Sequence, residues 1–186
     1  MKLFYRSDFP QNKSALTLLS ILLLAGCGSQ AIAPLPPLSI PASCTSTQML
    51  TAITPIVEGA VFIDTPWQPA PGTELADFLN NNGIACSYGL QSAEIGTTVK
   101  WVKDSGSLFS NRIESWKSEG YESVLVKDAD QAFFLHKLQS ATQEFNVWAL
   151  NITYRGYWIQ ISSSFSHTFA EGAPLITAAL SSLESA

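Results

Sequence analysis

The 186-residue chain is poor in the side chains that most active sites require. It has two histidines, His136 and His167, and three cysteines. Metal sites need clustered donors, and neither histidine has an H-E-x-x-H partner or a Cys-x-x-Cys neighbour, so no metal and no cofactor is expected. His136, within Phe133-Phe134-Leu135-His136-Lys137, reads as the solvent side of a strand. A G-x-S-x-G elbow, an S-x-x-K pair and a phosphate-binding Gly-rich loop are all missing. Ser162, Ser163, Ser164 and Ser166 stand near His167, but serines are frequent here and chance proximity explains the grouping. Asp128 and Asp130 sit in an expected hairpin turn, where Asp stabilises the backbone locally. That reading outweighs a glycosidase carboxylate pair. Asn151-Ile152-Thr153 matches a glycosylation sequon, a short pattern that carries little weight by itself.

Charge is scarce as well. Only 13% of residues are Asp, Glu, Lys or Arg, with ten basic against fifteen acidic. A net-negative chain without a basic cluster is not built for nucleic acid. Long apolar runs are also lacking. The stretch Ala15 to Leu24 is ten residues without charge, well short of the roughly 20 needed to span a bilayer.

That short run has a meaning of its own. Lys2, Arg6 and Lys13 outweigh Asp8 before it, and Ala25, Gly26 and Cys27 follow it, which is the pattern of an export signal. Leu24-Ala25-Gly26-Cys27 resembles the lipobox of bacterial lipoproteins. The resemblance covers the first 27 residues and implies diacylglycerol, with its palmitate-type chains, on the Cys27 sulfur. It further implies removal of residues 1–26 as a signal peptide. Two acyl chains anchor stably where one is marginal. The expected location is therefore the cell membrane, lipid-anchored and facing outside the cytoplasm, with the membrane itself as a partner through Cys27. Gly28 lacks the Asp that resembles an inner-membrane retention signal. The plainer alternative is an ordinary export signal with a chance cysteine.

Behind Cys27, residues 27–42 hold Pro34, Pro36, Pro37 and Pro41 and no charge, the composition of an extended tether. At about 3.1 Å per residue it would hold a domain on the order of 45 Å from the lipid. Residues 43–186 are expected to form a single α+β domain. After cleavage seven basic groups face fourteen acidic ones, a formal charge of −7, so anionic headgroups would not attract the chain. With Cys27 lipidated, Cys44 and Cys86 remain. An even pair outside the cytoplasm reads as a disulfide.

Periodicity then predicts the elements. Met49, Leu50, Ile53 and Ile56 have helical spacing, stopping near Pro55 and Gly59. Val61-Phe62-Ile63 reads as a strand, and prolines 66, 69 and 71 make a loop. Thr73 looks like the N-cap of a helix bearing Leu75, Phe78 and Leu79, with Gly83 as left-handed stop. Ile84–Leu90 and Thr97–Lys103 read as strands. Ser105 or Ser107 would cap a helix ending at Gly120. Glu122–Lys127, Gln131–Leu138, Phe145–Tyr154 and Tyr157–Phe165 read as strands, the last two joined by the Arg155-Gly156 turn. Trp148, Leu150, Ile152 and Tyr154 share one face, as do Tyr157, Ile159 and Ile161. Thr168 to Glu171 fits a capping box before a final helix carrying Ile176, Leu180 and Leu183. The fold class is α+β: an antiparallel sheet of about five to six strands with helices packed on it.

The aromatics alone suggest a ligand. Trp67 in its proline-rich loop and Trp158, opposite the Tyr157/Ile159/Ile161 face, are candidate exposed binding aromatics, unless a second helical layer covers them. The leading functional reading is a non-catalytic binding or interaction module of the cell envelope, with an unknown protein or envelope ligand as partner. The alternatives are a cell-wall hydrolase with a dispersed site and a structural or assembly subunit of an envelope complex. The overall plan is similar to that of small Gram-positive envelope lipoproteins, a likeness that carries no catalytic residues.

Overall fold

Strict alternation of large apolar side chains along neighbouring strands gives both faces of one sheet something to bury. The computed structural model describes residues 36–140 and 143–185; the expected export signal, Cys27 and the start of the expected tether lie outside them. The strands are β1 (Leu38–Ser39), β2 (Val61–Ile63), β3 (Ile84–Leu90), β4 (Ile95–Lys103), β5 (Glu122–Ser123), β6 (Gln131–Ser140), β7 (Gln143–Tyr154), β8 (Tyr157–Ser163) and β9 (Glu184–Ser185). The helices are α1 (Met49–Ile53), α2 (Glu74–Asn80), α3 (Ile113–Glu119) and α4 (Ala173–Ser181). Seven strands form one antiparallel sheet in the order β2-β3-β4-β8-β7-β6-β5. The chain builds one side, crosses by way of α3 to the far edge, and meanders back until β8 closes against β4. Among the described residues no helix is long and apolar enough to cross a membrane.

Tyr88, Val99, Trp101, Leu150, Ile152, Ile159 and Ile161 bury the first face under Met49 and Ile53 of α1, Leu175, Ile176 and Ala179 of α4, and Leu183 just after α4. Gly172 is what lets α4 approach: a Cβ there would lie 2.0 Å from Cζ2 of the buried Trp148 ring. The second face carries Val102, Phe133 and Trp158 beneath Phe78 of α2, Trp116 of α3 and Phe109 in the segment leading into α3. Trp158 is therefore no exposed binding aromatic. It is fully buried, 4.2 Å centroid to centroid from Phe78 and 5.6 Å from Trp116, because helices cover this face too.

Several details differ from the sequence reading. The sheet has seven strands because β2 and β5 add short edges. Of Glu122–Lys127 only Glu122 and Ser123 pair regularly with β6; the Val124 N–H still reaches the Ala132 carbonyl at 3.1 Å before the chain turns off. The tether does not run to Ala42: Leu38 and Ser39 pair with β9, and Leu38 and Ile40 pack against the core. The left-handed residue after α2 is Asn82, at φ 58. Gly83 is needed instead for close approach, since a Cβ would meet the Phe78 and Trp101 carbonyl oxygens at 2.6 Å.

Neither Ser105 nor Ser107 caps the third helical segment. The Asp104 carboxylate accepts from the backbone N–H groups of Gly106, Ser107, Leu108 and Phe109, at 2.8 to 3.1 Å. A carboxylate outcompetes a hydroxyl for several converging donors because each bond is charge-assisted. Partial burial raises the Asp104 pKa, but these four donors outweigh it and hold the group below the usual aspartate range. The other helix signals are realised as read. Thr73 accepts the Ala76 N–H at 3.3 Å. Thr168 accepts the Glu171 N–H at 3.2 Å while the Glu171 carboxylate accepts the His167 N–H at 2.8 Å. Pro174 falls in the first turn of α4, where its missing N–H costs nothing.

Cys44 and Cys86 are joined, fixing the short 3-10 turn Cys44–Ser46 to β3. Tyr88 reinforces that junction: its hydroxyl donates to the Cys44 carbonyl at 2.8 Å and lies 2.7 Å from Thr47 Oγ1. The Cys44→Ser/Cys86→Ser protein should lose about 4 kcal/mol, the chain-entropy value for this loop, as a lower urea midpoint. Asp104→Asn should cost about 1 kcal/mol at neutral pH, the scale of a lost cap. A depressed folded pKa stabilises above the unfolded value and is lost as pH falls through the folded one. The gap between wild type and Asp104→Asn should therefore be full at pH 7 and close below about pH 4, as read by thermal melts across that range.

Candidate ligand cleft

On the second face the registers set out three parallel rows of side chains. Val102, Trp158 and Thr153 make one. Ala85, Lys100, Gln160, Asn151 and Phe133 make the next. Ile63, Ser87, Thr98, Ser162 and Ala149 make the third. The rows step from aromatic to charged and amide, then to hydroxyl. The helices stop short of the hydroxyl row: Ser87, Thr98 and Ser162 are half-buried.

A cleft of about 690 Å³ opens over them, extended by Gly96, Ser164 and Gln91. Glu94 is the one charged residue lining it among the described residues. Ser87 Oγ lies 3.3 Å from Thr98 Oγ1, and the Ser164 hydroxyl accepts the Gly96 N–H at 3.0 Å. Hydroxyls that both donate and accept, carried on strands about 4.8 Å apart, suit a neutral polar ligand. Among the described residues no histidine or carboxylate bonds to Ser87, Thr98 or Ser162.

The middle row is a buried polar network. Asn151 Oδ1 accepts from Trp158 Nε1 and Gln160 Nε2, each at 3.0 Å. Glu74, on the first turn of α2, accepts from Trp116 Nε1 with one oxygen and Gln160 Nε2 with the other. The first bond ties α2 to α3, and the second ties α2 to the sheet. Lys100 sits 5.6 Å from the Phe78 ring centroid; burial lowers its pKa and Glu74 partly opposes this. Burial, then the charges of Glu74 and Glu119, push the Tyr121 phenol well above its usual range. The fully buried Asn151 keeps one amide nitrogen without a partner.

The other sequence candidates fall elsewhere. Trp67 is half-buried, and its indole N–H donates to the Ala85 carbonyl at 2.9 Å. There it covers the part of β3 that the short β2 leaves open, which is an edge-capping task. His136 is exposed, with Nε2 2.7 Å from Asn146 Oδ1. The serines near His167 turn to one another and to backbone: Ser163 Oγ donates to Ser166 Oγ at 3.2 Å. Asp130 accepts the Arg155 N–H at 2.9 Å, and Asp128 has φ 65, so both serve turns. No group of three metal-binding side chains occurs among the described residues. The sequence reading missed the hydroxyl row and the Glu74 network. Their only signal was the alternation of Ser87, Thr98, Lys100, Gln160 and Ser162 with core residues, which becomes a site once strand register is known.

No family model, curated protein or solved structure matches the chain.

Asn151→Leu removes the acceptor shared by Trp158 and Gln160, leaving the buried Trp158 indole N–H unpaired and Gln160 Nε2 with only Glu74. The expected loss is on the order of 3 kcal/mol, seen as a lower urea midpoint with unchanged slope.

Proposed function

We propose that the chain is a membrane-anchored extracytoplasmic lipoprotein, held by lipid on Cys27, that works as a non-catalytic binding module of the cell envelope. The observation that carries the binding assignment is the open row Ser87–Thr98–Ser162 on a sheet face otherwise closed by α2 and α3. Hydroxyls left uncovered at one end of a closed face favour recognition of a neutral, hydroxyl- or amide-rich envelope component. Among the described residues no histidine or carboxylate bonds to those hydroxyls, which favours the binding reading over the hydrolase alternative. The anchor rests on the lipobox resemblance and on the charge-poor segment after it.

Two arms test the reading. Cells fed an alkyne palmitate should label the wild-type chain and not Cys27→Ala, and the wild type should sediment with membranes. Unlabelled wild-type protein would remove the anchor. For binding, neutral cell-wall fragments should raise the melting temperature of the wild type and not of Thr98→Trp, which fills the cleft. Equal shifts for both proteins would sink the cleft assignment.

A further inference from the structure

The side of the domain where the described chain begins carries the most exposed large apolar residue among the described residues. Leu125 is 97% exposed, one step past the point where β5 leaves the sheet. Beside it an apolar groove of about 540 Å³ is lined by Val126, Tyr154, Phe169, Ile176 and Leu180. Tyr154 ends β7, and the next residue, Arg155, donates through its guanidinium to the Pro36 carbonyl at 2.6 Å. The Tyr157 hydroxyl donates to the Leu38 carbonyl. Groove and chain entry therefore share one rim of the sheet.

We propose that Leu125 and this groove dock against the acyl region of the bilayer that carries the anchor. The inference rests on the lipoprotein reading above. Nine residues, Cys27 to Leu35, separate the lipidated sulfur from Pro36, a span of at most about 30 Å. A tether that short keeps this rim at the lipid surface at an effective concentration in the millimolar range. One exposed leucine and a groove then bind locally, although they would not hold an untethered protein. The lip charges, Lys127 and Asp128, are both exposed and cancel, so the contact is with neutral lipid. An exposed apolar projection of this kind marks an interaction surface.

The disulfide leaves Cys27 as the one free thiol of the mature chain, so it can be coupled to a maleimide phospholipid in phosphatidylcholine vesicles. Amide exchange is then compared with the same chain capped at Cys27 by a small maleimide. Tethering should slow exchange across residues 124–128 by roughly tenfold, and Leu125→Asp should restore the capped rate without altering exchange in the sheet. Equal rates for tethered and capped wild type would overturn the proposal. So would slowing of the capped chain with protein concentration alone, which would make a second copy the occupant. The mass of Cys27 in protein from its own cells tests the anchor separately: a bare thiol there ends the lipoprotein reading and leaves the vesicle result standing.

Discussion

Strand β8 has to bury both of its faces, and most of the architecture follows from that demand. It lies between β4 and β7, with Tyr157, Ile159 and Ile161 turned one way and Trp158 and Gln160 the other, all buried. A strand in that position needs cover above and below. Helices α1 and α4 supply it on the first face, α2 and α3 on the second. Those two pairs differ in how they are held. On the first, α1 and α4 bring mainly aliphatic side chains, and the backbone of α4 accepts the buried Trp101 indole N–H at the Ala179 carbonyl, 2.9 Å away. The second adds Glu74 and Asn151, which satisfy the indole nitrogens of Trp116 and Trp158, since an indole buried without an acceptor is costly.

The same sheet explains why a cleft exists. Helices α2 and α3 are each seven residues long, about 10 Å at 1.5 Å per residue. Strands β4 and β7 have nine and twelve residues, close to 30 Å and longer at 3.3 Å each. Short helices cannot roof long strands, so part of the second face stays open, and there the chain carries Ser and Thr. The lone charged lining residue, Glu94, sits at the turn between β3 and β4 with φ 55.

Much of the fold was legible in the sequence where period and caps agreed. Thr73, the Thr168–Glu171 box, the Arg155-Gly156 turn and the Tyr157/Ile159/Ile161 stripe are local signals, and the structure places them as read. Failures came where a distant partner decides. Whether Trp158 is exposed depends on α2 and α3, which its own neighbours do not report. Asp104 won the cap from nearby serines because four N–H groups converge on it in three dimensions. The hydroxyl row is spread over β3, β4 and β8, and no window of sequence contains it. Cys44 and Cys86 were readable as a pair because covalent arithmetic does not depend on register.

For the lipid-anchored chain proposed above, the Cys44–Cys86 bond takes on a mechanical meaning. Tension on an N-terminal tether reaches the domain first at the Pro36–Arg155 contact and the two-residue pairing of β1 with β9. Both are small and can peel. At Cys44 the pull meets a covalent link to β3, which is bonded along its whole length to β4. Load then passes into the sheet as shear across many backbone hydrogen bonds at once. The bond divides the molecule into a few residues of slack and a body that resists extension as a unit.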